Sequence, residues 1–186
     1  MEIYLKNIST IQTGLFAKPQ ADGDIVYLQP KYYSDSGDLT TVLMPDLSSS
    51  GISEKHLLQQ GDVLFAAKGN KNFATCFGKH DLPAVASTSF FVIRVTNKEI
   101  LPEYLTWFLN HPNTQLFLKG YARGTAIASI SKSVLEDMNI TIPSIEMQKR
   151  ILKIASYRKQ ELALKKQMED LQEKYLQSLL FKSTQK

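Results

Sequence analysis

The stretch from Ser144 to Phe181 contains neither glycine nor proline, the two residues that most readily interrupt a helix. It reads as one helix of roughly 38 residues, about 57 Å long at 1.5 Å per residue. Ser144 is placed as its N-cap, directly after the strand-like run "NITIP" that ends in Pro143. Apolar residues recur at Ile151, Ile154, Ala155, Leu162, Leu164, Met168, Leu171, Tyr175 and Leu179. Leu164, Met168, Leu171 and Tyr175 step by four, three and four, as a coiled-coil seam does, whereas the register slips between Ala155 and Leu164. A domain of about 140 residues cannot cover so long a stripe, so the helix is expected to take a partner helix. The alternative is a frayed basic tail.

The preceding residues have a different texture. Short β-rich runs bounded by turn residues are expected at Ile25–Leu28, Val63–Ala67 and Phe90–Val95, with "SDSGD" (34–38) and "SSSG" (48–51) as loops. Pro102 suits the first position of a helix over "PEYLTWFLN". A second helix, "TQLFLKGYA", follows the Asn110-His111-Pro112 break and ends near Gly120. Ser133-Val-Leu-Glu136 is read as a capping box opening a third. The expected fold class is α+β: a mixed α/β domain over residues 1–142, then a long coiled-coil helix over 143–186.

Charge is unevenly placed. Residues 146–186 hold ten Lys/Arg against five Asp/Glu, a net of +5. Residues 1–145 hold twelve against thirteen, a net of −1. Any anion-binding surface on the globular part must therefore come from local clustering. No apolar run approaches the roughly 18 residues of a membrane helix, and the N-terminus lacks the pattern of a signal peptide. With the single cysteine, Cys76, this points to a protein of the reducing cytoplasm, away from the membrane.

Catalytic patterns are missing from the sequence. His56, His80 and His111 have no second His or Cys at metal-site spacing, so no metal is expected and each reads as surface or structural. Cys76, in "FATCFG", reads as a small buried hydrophobe. No G-x-G or G-K-[ST] occurs, and no Asp or Glu stands two residues before a lysine as in common metal-dependent nucleases. The N/D-P-P-Y/F-like tetrapeptide of amino-methyltransferases is absent as well. The chain reads as a non-enzyme with no cofactor of its own.

A binding module remains. "AAKGNKN" (66–72) sets Lys68, Asn70, Lys71 and Asn72 around Gly69 after an apolar strand. Lysine serves phosphates, and asparagine can bond adenine bidentately in the major groove; a polar hairpin with solvated charges is the plainer reading. "QPKYYSDSG" adds Gln29 and Lys31 beside paired tyrosines. In "ARGTAIASIS", Arg123 fits either a turn with a solvated charge or a phosphate contact.

Five stretches, "GDVLFAAKGN", "LPAVASTSFFVIRV", "ILPEYLTWFLN", "ARGTAIASIS" and "ITIPSIEMQKRI", stand in the order and spacing of specificity subunits of type I restriction–modification systems. The resemblance spans nearly the whole chain, and its most telling part runs from Ile142-Pro143 to Ile151. It implies a target-recognition domain that reads double-stranded DNA, followed by a long helix acting as a ruler. Such subunits are implied to have no catalysis, and to position a methyltransferase subunit that uses S-adenosylmethionine and an ATP-driven restriction subunit. With one domain, one helix and no internal repeat, the chain resembles a half-length form. A homodimer through the helix, and hence a split palindromic target, follows as the expectation. The resemblance turns Lys68, Asn70, Lys71 and Asn72 into first candidates for groove contact, Gln29 and Lys31 into the next, and Arg123 into a phosphate clamp. The rival expectation is a structural or regulatory half-subunit that pairs with other subunits without reading DNA.

Overall fold

The computed structural model describes residues 2–20, 22–69, 71–78, 83–121 and 129–184. The chain divides into two compact units, Met1–Gln148 and Lys149–Lys186. Among its described residues the first holds eight strands: β1 (Glu2–Tyr4), β2 (Ser9–Thr13), β3 (Val26–Leu28), β4 (Val63–Ala66), β5 (Ala74–Cys76), β6 (Ala84–Ala86), β7 (Phe90–Val95) and β8 (Asn139–Thr141). It also holds helices α1 (Pro102–Asn110), α2 (Pro112–Tyr121) and α3 (Lys132–Glu136), and the start of α4 (Ile145–Ser183). The fold is the mixed α/β unit with a long C-terminal helix that the sequence implies.

The main sheet is antiparallel, in the order β2-β7-β4-β5. β3 pairs parallel with β6, and β1 pairs antiparallel with β8. The continuous apolar run "VLFA" becomes β4, every residue of which is buried, as a strand covered on both faces requires. On one face Leu64 and Ala66 join Phe90, Val92, Val26, Leu28, Phe73 and Phe77 in one buried cluster. β1, β2, β5 and β6, which the sequence patterns did not single out, are three to five residues long. β1 forms only because β8, far along the chain, supplies its partner at Ile3↔Ile140.

Three buried or half-buried polar groups fix how the elements meet. Asp62, 1% exposed, accepts both Nε (2.8 Å) and Nη2 (2.7 Å) of Arg94, and also Gln59 N–H (2.8 Å). Arg94 Nη2 donates on to Leu57 O (3.3 Å), so one guanidinium ties the 57–62 turn to β7. The bidentate geometry is the strong form of such a pair, and the carboxylate raises the arginine pKa through its hydrogen bonds. Asn110, last residue of α1, accepts Ala74 N–H through Oδ1 and donates through Nδ2 to Ala74 O, both at 2.8 Å. Its amide completes the outer edge of β5, where a further strand would otherwise pair. Gln148, fully buried, accepts Leu101 N–H (2.9 Å) and donates to Glu99 O (2.7 Å) and Pro143 O (2.8 Å). The first turn of α4 is thereby bonded to the loop entering α1.

Two helix starts differ from expectation: α2 opens on Pro112 itself rather than after it, and α3 opens earlier than Ser133. The cap of α3 is Ser131, whose Oγ accepts Val134 N–H at 3.3 Å, not Ser133. Glu136 therefore ends the helix and cannot close a capping box; it pairs with Lys132 one turn back instead (3.3 Å). Ser144 caps α4 as its position suggests, accepting Met147 N–H at 3.3 Å.

In the second unit the helix is a solvent-facing rod. Ile154, Leu162, Leu164, Met168, Leu171, Tyr175 and Leu179 are between 44% and 69% exposed, and Ile151 and Ala155 are half-buried. Leu176, Leu180 and Phe181, outside the sequence-derived stripe, widen the apolar surface near the C-terminal end. The polar side carries Glu161, which bonds both Arg158 and Lys165 at 2.7 Å, interactions that hold its carboxyl below the usual range.

Two stability measurements follow. Gln148→Leu removes the partner of two backbone carbonyls and one amide and leaves an apolar side chain among them, and urea unfolding should show a loss of about 2 kcal/mol; a variant as stable as the parent would deny the glutamine this role. Arg94→Met strands the Asp62 carboxylate and should cost about 3 kcal/mol or more. Combining it with Asp62→Ala should recover part of that loss, whereas strict additivity would mean that the two side chains do not act as a pair.

Candidate nucleic-acid interface

Antiparallel pairing decides where the loops of the main sheet emerge. β2 and β4 flank β7 and both run against it. The chain leaving β2 at Thr13, the chain leaving β4 at Ala66 and the chain entering β7 at Phe90 therefore lie at one end of the sheet. Backbone bonds fasten this end: Gly14 N–H to Phe90 O (3.0 Å), Ala67 N–H to Ser89 O (3.0 Å) and Leu15 N–H to Ala86 O (2.9 Å). β3 delivers its C-terminal end to the same place, since Ser87 N–H donates to Leu28 O (2.9 Å). Gly14 is obligatory here, because a Cβ would stand 2.1 Å from Ser87 O.

The segments named from the sequence converge on this end. Lys68 is exposed and bridged to Ser129, and Ile130 N–H donates to Ala67 O (2.9 Å), so the end of "ARGTAIASIS" is stitched to the start of the 67–73 hairpin loop. Lys71 is ion-paired with Asp35, joining that loop to "SDSGD". Asn72 does not project freely: its Nδ2 donates to Ala66 O (2.9 Å) and holds the hairpin closed. Gln29 is half-buried, and Lys31 is exposed with its Nζ over the Tyr32 ring, 5.0 Å from the centroid. Asn70 and Arg123 lie outside the described residues, as does His80.

An aromatic floor supports the two lysine-bearing loops. Tyr33, Phe73 and Phe90 pack mutually with centroids 5.8–6.0 Å apart, two of the three pairs edge-on. Burial pushes the Tyr33 hydroxyl up to about 12, which fits a packing role. Tyr32 instead reaches Asp46 Oδ2 through its hydroxyl (3.5 Å). Gly37, at φ +82°, lets the "SDSGD" turn approach β5, where a Cβ would meet Ala74 O at 2.3 Å. Two loops far apart in sequence thus form one rigid platform.

Unpaired lysines give this platform a cationic character. Lys31 and Lys68 make no ion pair with a described residue, so their charge is available, while that of Lys71 is balanced by Asp35. Burial pushes the half-buried Cys76 thiol up to about 11, which leaves little thiolate for nucleophilic work. Among the described residues, no group of three or more His, Cys, Asp or Glu is placed to hold a metal ion. No helix among them is long and apolar enough to cross a membrane. The sequence reading overlooked loop 14–20, which brings exposed Phe16 and Lys18 to the same end. The alternation in "STIQTG" was the available signal for the strand before it.

Comparison with known proteins fits this arrangement. The chain is 23% identical over 153 residues to the type I restriction enzyme MjaVIII specificity subunit of Methanocaldococcus jannaschii, a match over 82% of this chain and 33% of that protein. It is 30% identical over 132 residues to the type I restriction enzyme HindI specificity subunit of Haemophilus influenzae, over 69% of this chain and 28% of the relative. The chain spans a third or less of these curated relatives, both of which are named as specificity subunits rather than nucleases or methyltransferases. A chain from a structure describing complex assembly and conformational transition of the type I R-M system superposes with a TM-score of 0.71. It shares 16% identity, and the match covers 96% of this chain and 43% of that one, a likeness of fold. The family of type I restriction modification DNA specificity domains matches residues 4–173, and the protein belongs to it.

Proposed function

We propose that this chain is the sequence-reading part of a type I restriction–modification complex, binding double-stranded DNA and performing no catalysis itself. The observation that carries the reading is the gathering of Lys31, Lys68 and the 129–131 segment at one end of the main sheet, in a chain whose family is that of DNA specificity domains. Loops on a rigid sheet end can enter a major groove while lysines hold the flanking phosphates. Within this reading Lys68 and Arg123 hold phosphates, Gln29 and Asn70 face base edges, and Lys31 and Lys71 support both. Asn72 acts by fixing the hairpin. The platform would stand on DNA while methyltransferase and restriction subunits assemble around it in the cytoplasm.

The second unit supports a proposal about assembly. A helix of 39 residues with its apolar stripe in solvent gains stability from a partner helix. A second copy of this chain is the proposed partner, related by a two-fold axis. Two identical recognition units would then read the same half-site in inverted orientation, and α4 would set the gap between them. At about 58 Å the helix matches about 17 base pairs of 3.4 Å rise. In the competing reading, α4 pairs with other specificity or methyltransferase subunits and the chain does not read DNA; the exposure of the stripe fits that case equally.

Two measurements test these statements. In duplex binding by fluorescence anisotropy, Lys68→Ala and Arg123→Ala should each weaken all sequences alike and lower the salt slope by about one. An unchanged slope would remove the residue from the phosphate-binding set. Light scattering across a dilution series should give twice the chain mass of 21.0 kDa, and Leu164→Asp with Leu171→Asp should return it to the monomer. A stable monomer for the parent chain would refute the homodimer.

A further inference from the structure

A second basic feature opens beside the platform. The cleft between loop 14–20 and residues 47–56 has a volume of about 560 Å³ and is lined in part by Phe16, Lys18, Ser50, Ser53, Lys55 and His56. Among the described residues no carboxylate lines it. Of the acids near its walls, Glu54 is exposed and does not line the cleft, and two others are hydrogen-bonded. Asp24 accepts Ser49 N–H and Ser49 Oγ–H, and Asp46 accepts Tyr27 N–H (2.7 Å) and the Tyr32 hydroxyl. Lys18 and Lys55 are exposed and make no ion pair with a described residue.

Both walls are anchored, so the cations are presented rather than trailing. The Tyr27 hydroxyl donates to Leu15 O (3.1 Å) and accepts Ala17 N–H (3.3 Å), which pins the backbone on either side of Phe16. Gln12 Nε2 donates to Lys55 O (3.1 Å) from the neighbouring strand. Leu15, Ala17, Ile52 and Leu57 pack on the buried cluster of Ile25, Tyr27, Leu47 and Val85. Phe16 stands between two anchored residues yet is 77% exposed. An aromatic ring held in water at a fixed position gives up the stabilisation of burial unless something covers it.

We infer that this cleft holds a stretch of DNA sugar–phosphate backbone, with Lys18 and Lys55 on the phosphates, the Ser50 and Ser53 hydroxyls as added donors and Phe16 against a deoxyribose or base. The inference rests on the DNA-reading role proposed above and extends its footprint. Dispersed cations with hydroxyls and one apolar ring suit an extended phosphodiester; a compact anion would leave the ring uncovered. Gly14 and Ala67 lie on opposite sides of the 87–90 turn, on the two strands that flank β7. Two strand spacings, about 10 Å, separate them, or about three base-pair rises. The loops that carry Lys18 and Lys68 therefore leave the sheet within about three base-pair rises of each other.

The test uses the full chain and a fluorescent duplex of about 40 base pairs, titrated between about 50 and 200 mM KCl. Lys18→Ala with Lys55→Ala should lower the salt slope by roughly two and weaken binding about tenfold at the upper salt. Phe16→Ala should weaken binding several-fold and leave the slope unchanged, since it removes contact without charge. An unchanged slope in the double variant, with thermal unfolding like the parent, overturns the inference. So does a double variant that binds duplex normally but no longer joins the methyltransferase subunit, which would give the cleft to an acidic protein surface. A parent chain that binds no duplex, alone or with that subunit, overturns the DNA-reading role itself and this extension with it.

Discussion

The molecule is organised around one strand hydrogen-bonded along both edges. β7 takes β2 on one side and β4 on the other, both antiparallel, with β4 carrying β5 beyond it. Antiparallel neighbours of a common strand deliver their exits to the end where that strand begins. This alone brings loop 14–20, the 67–73 hairpin and the 87–89 turn together. The 29–38 loop joins them because β3 is parallel to β6, whose end feeds the same turn. The candidate binding surface is thus a consequence of strand direction, and with the 129–131 segment bridged to Lys68 it draws on five separated parts of the chain.

Rigidity at this surface comes from polar groups placed away from it. Arg94 and Asp62 clamp the 57–62 turn to β7, Asn110 closes the edge at Ala74, and Gln148 joins the start of α4 to the approach of α1. Each is buried or half-buried with its bonds largely satisfied, the condition under which such groups specify one arrangement rather than several. Loops standing on such a frame lose less entropy when a ligand orders them. The same logic separates the roles of neighbouring residues: Asn72 is spent on the hairpin and Tyr33 on the aromatic floor, while Lys31 and Lys68 remain for an anion.

The long helix follows different physics. Its segment Lys149–Lys186 has exposed apolar residues along much of its length, and its ion pairs around Glu161 are local. Such a rod is stabilised chiefly by what packs on it. In the proposed assembly its length becomes a functional quantity, because the separation of two recognition units sets the separation of two half-sites.

Much of this was legible in the sequence. The helix from Ser144 to Phe181 was legible because its hydrogen bonds close within a few residues and neither glycine nor proline interrupts the run. The apolar run at Val63, the Pro102 helix start and the Ser144 cap were fixed for the same local reason. Tertiary structure decided what depends on distant partners. Ser131 rather than Ser133 caps α3, β1 exists because β8 pairs with it, and Gln148 is a buried hub where the sequence shows one more polar residue on a polar helix. Lys18 and Lys55 face one cleft for the same reason: strand pairing and buried polar contacts join residues far apart in the chain, and no short-range periodicity records them.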